Sequence, residues 1–435
     1  MADKLSTAPP RGMRDILPNE VELRDAATQR ILAVYRSYGF RRIETPALES
    51  LRLLAGSEGG ENEKLIYKVL KRGEDLEAAL RGGAGDLADL GLRFDLTVPL
   101  ARYYAENHAR LPDPLKAIQI GPVWRAERPQ KGRYRQFTQC DIDVLGMASA
   151  VVEIELILAT CEAVRAAFDL ADLRVRINDR RILASIARHC GFTDEDQGRF
   201  FISFDKLDKV GPPGVLAELR ETGHGATAVT AFESLLPALR KHDLSPEALR
   251  ASLGVGEAGQ AFEWLTSIIG AANGQLPAGA RVRFDPTLVR GMGYYTGTIF
   301  EIVAPDFPSS IAGGGRYDRM VGRLLGRDVP ACGFSIGFER LVALLGERSG
   351  TGSAAASVPE ARRIALLVDG GGDLAAALAA ARALRAEGNL VSLELERRNR
   401  GRQLADFATH GYWGYATVEG GQAVVKALTG ARERR

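Results

Sequence analysis

Charged and aromatic side chains recur at alternate positions in one segment of this 435-residue chain, from Gly121 to Asp143. The segment is predicted to form a strand, a turn and a return strand, and the side chains of a strand alternate between its two faces. One face of the return strand therefore presents Arg135, Phe137, Gln139, Asp141 and Asp143. A guanidinium group, an aromatic ring, an amide and two carboxylates suit a ligand that carries an anion, a flat ring and a cation.

A solvated hairpin of mixed charge is the alternative interpretation, because surface charge is the ordinary case. Two features favour a ligand site. Phe137 would be unusual on a wet face, and Arg125 and Arg133 flank the turn, where bidentate contacts to phosphate would need them. Burying such a polar face without a ligand would also be costly.

The composition is that of an ordinary globular protein, with 46% apolar and 26% charged residues. A net charge of +2 neither indicates nor opposes nucleic-acid binding, so any RNA site must be local. The four cysteines and five histidines show no metal-binding spacing, which argues against a structural zinc site and a disulfide framework. Because the N-terminus lacks an apolar signal segment and no run of about 18 apolar residues occurs, we expect a cytoplasmic protein with no membrane partner.

The order of the predicted elements indicates three parts and a linker. Residues 1–170 and 275–347 predict an α+β catalytic domain on a mixed, mainly antiparallel sheet. Short amphipathic helices separated by Gly and Pro predict a helical insertion at 171–274. Small polar residues predict a linker at 348–361, and alternating strands and helices predict a small C-terminal α/β domain at 362–435.

Three smaller features bear on architecture and partners. Pro46 confines the strand that begins at Arg41 to a sheet edge or an interface. Residues 65–92 predict a hairpin with a glycine-rich excursion. A basic cluster in the C-terminal part is either an RNA backbone contact or a solvated run of charge, and its members are Arg397, Arg398, Arg400 and Arg402.

Several segments resemble the motifs of class II aminoacyl-tRNA synthetases, and of the histidyl-tRNA synthetase family in particular. The helix before Gly39 with the strand ending at Pro46 resembles the first class II motif, and the hairpin resembles the second. Residues 333–340 (GFSIGFER) resemble the third. Residues 288–297 (LVRGMGYYTG) and 312–318 (AGGGRYD) resemble signatures of the histidine enzymes. The resemblance covers nearly the whole chain.

The resemblance implies ATP-dependent attachment of histidine to tRNA(His) through a histidyl-adenylate intermediate. It implies that Arg125 and Arg290 are catalytic and flank the α-phosphate of ATP. The implied ATP-binding residues are Arg125, Glu127, Arg133, Phe137 and Arg340. The implied histidine-binding residues are Asp95, Thr97, Gln139, Asp143, Arg290, Tyr294, Tyr295 and Tyr317. The resemblance further implies that the C-terminal α/β domain at 362–435 binds the anticodon. It also implies a homodimer and Mg²⁺ that arrives with ATP, with Glu301 as a candidate metal ligand.

Two other functions remain open at this point. One is a non-catalytic, histidine-sensing regulatory paralogue, similar to the subunit that partners ATP phosphoribosyltransferase. Such proteins usually lack the corresponding arginines and the tRNA-binding module, whereas this chain has Arg125, Arg290 and Arg340. The other is a synthetase for a different amino acid, such as proline or threonine, and Asp143 with Tyr295 argues against it.

Overall fold

Two separately packed units make up the chain, residues 1–355 and 356–435. The computed structural model describes residues 6–56, 62–82, 87–129, 133–241, 243–254, 258–290, 293–305, 307, 309–350, 361–369 and 373–428. Within this part of the chain, no helix is both long enough and apolar enough to span a membrane.

The strands are numbered along the chain. Those of the larger unit are β1 (Arg41–Arg42), β2 (Leu48–Ser50), β3 (Lys68–Leu70), β4 (Ala88–Leu92), β5 (Leu115–Trp124), β6 (Gln136–Leu145), β7 (Leu173–Asp179), β8 (Ala280–Phe284), β9 (Thr298–Val303), β10 (Ala312–Arg316) and β11 (Ala331–Ile336). Those of the smaller unit are β12 (Arg363–Val368), β13 (Leu390–Leu395), β14 (Gly414–Glu419) and β15 (Gln422–Ala427).

The helices are numbered in the same way. Those of the larger unit are α1 (Pro18–Ser37), α2 (Leu51–Ala55), α3 (Gly73–Gly82), α4 (Thr97–Asn107), α5 (Ala150–Phe168), α6 (Arg180–Cys190), α7 (Gln197–Phe204), α8 (Leu207–Glu221), α9 (Ala226–Leu239), α10 (Pro246–Leu253), α11 (Gly259–Asn273), α12 (Arg319–Leu325) and α13 (Phe338–Gly350). Those of the smaller unit are α14 (Leu374–Ala386) and α15 (Arg400–Thr409).

An eight-stranded sheet forms the centre of the larger unit, in the order β1-β5-β6-β11-β10-β9-β7-β8. The β1–β5 and β7–β8 pairs are parallel and the other pairs are antiparallel. The predicted mixed, mainly antiparallel sheet is therefore confirmed. Strand β1 lies at the sheet edge, which is one of the two positions that Pro46 allows.

The two faces of β6 divide the core of the larger unit from a polar cavity. Cys140, Ile142 and Val144 are buried in the apolar cluster that α1 and α5 also enter. The intervening Asp141 and Asp143 line the cavity on the opposite face. This is the two-residue alternation that the sequence predicts.

The segment predicted to be a helical insertion contains one strand that was not predicted. Helices α6 to α11 do occupy residues 180–273, but β7 (Leu173–Asp179) belongs to the large sheet, between β9 and β8. Leu173, Val175 and Ile177 are buried and alternate with arginines. That alternation is typical of a strand, so the insertion was predicted to start too early.

Residues 65–92 also differ from the prediction. Strands β3 and β4 pair as expected, but α3 stands between them where a glycine-rich excursion was predicted. Leu76 and Leu80 recur at helical spacing, and Glu74 and Asp75 lie in the first turn, where the helix dipole favours carboxylates. Residues 83–86 lie outside the described part of the chain.

The smaller unit is a four-stranded sheet, in the order β13-β12-β14-β15, with two helices in its sequence, as predicted. Residues 351–360 of the predicted linker lie outside the described residues, and α13 continues to Gly350, beyond the predicted end of the catalytic domain at 347. Within the basic cluster, Arg397 pairs with Asp406 at 3.3 Å and Arg400 pairs with Glu396 at 3.2 Å. These pairs favour a solvated surface over an RNA contact.

Candidate active site

A cavity of about 370 Å³ lies on the polar face of β6. Its walls include β10, β11 and the first residues of α13. Thirteen of the fourteen predicted site residues line it, namely Asp95, Thr97, Arg125, Glu127, Arg133, Phe137, Gln139, Asp143, Arg290, Tyr294, Tyr295, Tyr317 and Arg340. Glu301 does not. The structure thus brings residues from six separate segments into one space.

Sheet register explains how residues so distant in sequence meet. Paired residues of neighbouring strands carry their side chains on the same face. One row of pairs crosses the sheet and consists of Arg176, Glu301, Gly313, Ser335, Asp141 and Gln119. A second row consists of Ile299, Gly315, Gly333, Asp143 and Ala117. The small residues beside Asp143 leave room above that part of the sheet.

One region of the cavity is acidic, and three of its acceptor atoms lack partners. Asp95 Oδ1 accepts from the backbone N–H of Val98 at 3.0 Å at the start of α4. Its other oxygen, Asp95 Oδ2, is buried without a hydrogen bond, as are Gln139 Oε1 and Asp141 Oδ1. Because a buried acceptor without a donor is costly, these three atoms favour a ligand that supplies N–H groups.

Burial also determines the protonation of these carboxyl groups. It raises the pKa of Asp95 to about 6, and burial together with the nearby Asp143 raises the pKa of Asp141 well above its usual range. A cation beside them would stabilise the ionised forms. The acidic region around Asp95 and Asp141 is therefore suited to an ammonium group.

Asp143 is fixed by a tyrosine and a glycine. Tyr317 donates its hydroxyl hydrogen to Asp143 Oδ1 at 2.5 Å, and both side chains are buried. Burial raises the pKa of Asp143 to about 7 even though this hydrogen bond lowers it. Gly333 lies beneath, where a Cβ atom would overlap Asp143 Oδ1. Tyr294 and Tyr295 stand nearby with their ring centroids 4.7 Å apart, so this part of the cavity combines a carboxyl group with aromatic walls.

The same cavity also has basic side chains. Arg125 donates through Nε to the carbonyl of Phe94 at 2.9 Å, and its guanidinium lies 5.1 Å from the centroid of the Phe137 ring. Arg340 donates to the carbonyl of Ser310 at 2.7 Å. Burial and the nearby Arg133 lower the pKa of Arg340, as expected where positive charge gathers. Such a concentration of guanidinium groups suits a polyphosphate.

Arg290 lines the cavity above the glycines of β10. It lies over Gly313, where a Cβ atom would overlap its guanidinium group. The run of glycines at 313–315, which alone would indicate only a tight turn, therefore provides the space for this arginine.

A family model described as histidyl-tRNA synthetase matches residues 12–341. The chain belongs to the histidyl-tRNA synthetase family. The family predicted from the motifs is thereby confirmed.

Two relatives illustrate this membership. The chain is 48% identical over 423 residues to the histidine–tRNA ligase of Leifsonia xyli subsp. xyli, which covers 94% of this chain and 95% of the relative. It is 39% identical over 351 residues to the histidine–tRNA ligase of Gloeobacter violaceus, which covers 77% and 74%.

Solved structures agree with the fold. A crystal structure of histidyl-tRNA synthetase from Nostoc sp. PCC 7120 matches with a TM-score of 0.76 and 26% identity over 98% of both chains. An ATP phosphoribosyltransferase regulatory subunit/histidyl-tRNA synthetase from Bacillus halodurans C matches with a TM-score of 0.75 and 22% identity, over 96% of this chain and 98% of that one. The second likeness shows the fold alone.

In this member of the histidyl-tRNA synthetase family, Glu301 contacts arginines on the cavity face of the sheet. Its carboxylate lies 3.6 Å from Arg290 Nη1 and 3.5 Å from Arg176 Nη1. Among the described residues, no group of three or more His, Cys, Asp or Glu side chains could hold a metal ion. A carboxylate between two guanidinium groups is a poor ligand for Mg²⁺, so these contacts favour a role in orienting Arg290 over the predicted metal-binding role.

Replacing Glu301 with glutamine is expected to lower kcat for histidine-dependent ATP–pyrophosphate exchange by roughly 10- to 100-fold, because Arg290 loses its anionic partner. KM for histidine should change little. Asp208→Asn is the matched control, since Asp208 pairs with the same Arg176 at 2.9 Å but is mostly exposed. A rise in the Mg²⁺ concentration needed for half-maximal exchange would instead support metal binding by Glu301.

The motifs did not assign a role to two residues of this family member's site. Asp141 was predicted to share the face of Asp143, and its alternation in β6 was the available signal. Glu339 was missed. It accepts from Arg24 at 2.7 and 2.8 Å and from the backbone N–H of Thr138 at 2.9 Å, and so ties α1 and β6 to the helix that carries Arg340.

Proposed function

We propose that this chain activates histidine with ATP in the described cavity and then transfers it to tRNA(His). The observation that carries the proposal is the presence of both kinds of polar group in one cavity. Buried acceptors without donors, on Asp95, Gln139 and Asp141, line the same cavity as the guanidinium groups of Arg125 and Arg290. An amino acid joined to a nucleotide phosphate carries an ammonium group that complements the acceptors and a phosphate that complements the guanidinium groups.

Histidine would bind with its α-ammonium group in the acidic region around Asp95 and Asp141 and its imidazole beside Asp143. The ammonium group would donate to Asp95 Oδ2 and Asp141 Oδ1, with Thr97 and Gln139 nearby, and so remove the cost of their unpaired burial. An imidazole ring would hydrogen-bond with Asp143 and Tyr295. A side chain without ring nitrogens would leave these groups unpaired, which supports rejection on the order of 10⁴-fold.

The first step requires positioning and neutralisation of charge. An oxygen of the histidine carboxylate attacks the α-phosphorus of ATP, a new P–O bond forms, the bond to the β-phosphate oxygen breaks and pyrophosphate leaves. Arg125 and Arg290 would hold the α-phosphate from two sides, while Arg133 and Arg340 would hold the departing phosphates. Phe137 would stack on adenine, with Glu127 beside the base. These roles are supported by the shared cavity.

The second step transfers histidine to RNA. A terminal ribose hydroxyl of the tRNA attacks the carbonyl carbon of the adenylate, the new ester bond forms, and AMP leaves with the electrons of the broken C–O bond. The hydroxyl proton must be lost during this attack, and no single side chain in the cavity is assigned as its acceptor.

The proposal has three further parts. Mg²⁺ would enter bound to the phosphates of ATP, since that ion commonly uses substrate oxygens as ligands. Two copies would associate through the segment of α1 and β1, which the resemblance implies and which the position of β1 at the sheet edge allows. The protein would act in the cytoplasm. Sedimentation analysis would test the dimer directly.

ATP–pyrophosphate exchange with each of the twenty amino acids tests the proposed function. Exchange with histidine alone, followed by histidine-dependent charging of tRNA(His), is the expected result. No exchange with any amino acid would favour the regulatory alternative, and exchange with proline or threonine would favour a synthetase for another amino acid.

Histidine affinity is expected to fall by about tenfold from pH 8 to pH 6 through Asp143 alone. The sign follows from its pKa of about 7: the carboxyl group of the ligand-free protein is mainly ionised at pH 8 and mainly protonated at pH 6. Because histidine is expected to bind the protein with Asp143 ionised, binding at pH 6 should release protons from this carboxyl group. Calorimetry in two buffers of different ionisation enthalpy measures both quantities.

The ligand contributes to this pH dependence, because the histidine imidazole has a pKa of about 6.5 in solution. Asp143→Asn separates the two contributions, since the variant keeps only that of the ligand and of the other carboxyl groups. Equal affinity at pH 6 and pH 8 for the unchanged protein would contradict the assignment of Asp143.

A further inference from the structure

A second cavity, of about 390 Å³, adjoins the candidate active site. The two cavities share Tyr294 and Tyr295 as lining residues. The remaining walls of the second cavity include residues of α6, α7 and α12 together with Gly293 and Thr296, so helices of the 180–273 segment face the catalytic sheet domain across it. A ligand there would lie directly beside the tyrosines of the proposed histidine pocket.

This second cavity is strongly basic. Four arginines line it, and none of its described lining residues is a carboxylate. Two of the four are already engaged: Arg181 pairs with Asp179 at 2.8 Å, and Arg323 donates to the carbonyl of Gly56 at 2.9 Å. The guanidinium groups of the other two, Arg180 and Arg319, make no hydrogen bond or ion pair among the described residues.

Arg180 is the more informative of these two residues. It is partly buried, and its guanidinium lies 4.4 Å from the centroid of the Phe201 ring. Burial lowers the pKa of Arg180, and the negative charge of Asp205 partly offsets this effect. A partly desolvated cation that stacks on an aromatic ring but forms no ion pair is suited to an incoming anion.

We propose that the second cavity binds the phosphate backbone of the single-stranded 3′ end of the tRNA. This inference rests on the proposed function, since it names how the second substrate of that reaction approaches. Guanidinium groups bind phosphates, and an aromatic side chain such as Tyr294 can stack on an unpaired base. The shared tyrosines connect this cavity to the one where the adenylate carbonyl would wait.

The position of the cavity gives the helices of the 180–273 segment a role in the transfer step. Arg180 begins α6, whereas Arg319 begins α12 immediately after the AGGGRYD segment. An RNA strand that contacts both arginines would therefore span the two parts of the larger unit. Histidine activation needs neither arginine.

Binding of tRNA(His), measured by fluorescence anisotropy with and without its three terminal nucleotides, tests this inference. Arg180→Gln and Arg319→Gln should each weaken binding of the intact tRNA by about tenfold and lower the salt-dependence slope by about one. The truncated tRNA should bind the variants and the unchanged protein equally. Arg319 is exposed, so its variant removes charge without disturbing the core.

The control variant is Arg220→Gln. Arg220 lies on α8, is exposed and pairs with Glu233 at 2.7 Å, and it does not line the cavity. It removes the same charge from the same group of helices, so tRNA affinity should remain within about twofold if the effect is local.

Histidine-dependent ATP–pyrophosphate exchange, which needs no tRNA, distinguishes the possible failures. Normal exchange by the arginine variants with weakened binding of intact tRNA supports the inference. Unchanged binding, or an equal loss with the truncated tRNA, overturns it. Absence of exchange by the unchanged protein would overturn the proposed function instead.

Discussion

Replacing Arg290 with glutamine is expected to lower the rate of histidine-dependent ATP–pyrophosphate exchange by roughly 10³-fold. Negative charge at the α-phosphate increases as the carboxylate attacks, and Arg125 and Arg290 line the same cavity from different segments. Glutamine keeps a hydrogen-bond donor but no charge. The loss should appear in kcat, with a small change in KM for histidine, and steady-state exchange at saturating histidine and ATP measures it.

The matched control for this variant is Arg281→Gln. Arg281 is exposed on β8 of the same sheet and does not line the cavity. Its exchange rate should stay within about twofold, as expected for a surface substitution. Circular dichroism checks that both variants fold. If Arg290→Gln retained full kcat, Arg290 would not act on the reacting phosphate, and the assignment of its role would be wrong.

Local patterns predicted the parts of the site that depend on one strand. The alternation in β6 placed Asp141 and Asp143 on one face and Cys140 and Ile142 on the other, and the structure has this arrangement. Strand β7 shows the same period, yet the surrounding helices led to a helical prediction. A seven-residue strand inside a helix-rich segment is easily missed when neighbouring patterns dominate.

Contacts that depend on sheet register could not be predicted in this way. Arg176 and Glu301 are 125 positions apart, but they are direct partners across β7 and β9. Gly313 pairs with Glu301 from the other side, and the space above it holds Arg290. Strand order and register bring these residues together. The sequence therefore predicted Glu301 as a carboxylate near the phosphates of ATP, but not its contacts with Arg176 and Arg290.

A buried ion pair links the glycine strand to the helices behind the site. Arg316, the last residue of β10, donates to Glu153 at 2.7 and 2.8 Å, and the Glu153 side chain is fully buried. Trp264 of α11 donates to the same carboxylate at 3.2 Å. Tyr317, which follows Arg316, donates to Asp143. Helix α11, helix α5 and the floor of the proposed histidine pocket are therefore held by one carboxylate.

Replacing Glu153 with alanine is expected to lower the free energy of unfolding by about 3–5 kcal/mol, because the substitution removes the fully buried carboxylate that pairs with Arg316 and leaves only the partly exposed Asp318, at 3.2 Å, to balance its charge. Removal of the carboxylate also deprives the Trp264 indole N–H of its acceptor. Urea unfolding followed by circular dichroism measures the loss, and tryptophan fluorescence reports on the surroundings of Trp264. KM for histidine should rise, since Tyr317 loses the support of its neighbour.

Glu155→Ala makes the same substitution in the same helix and provides the comparison. Glu155 pairs with Lys116 at 2.6 Å, but a quarter of each side chain is exposed to solvent. Such a pair contributes at most about 1 kcal/mol, because water stabilises both charges when the pair is broken. Equal losses for the two variants would mean that solvent reaches Arg316 once Glu153 is gone, and the ion pair would then not be what holds β10 in place.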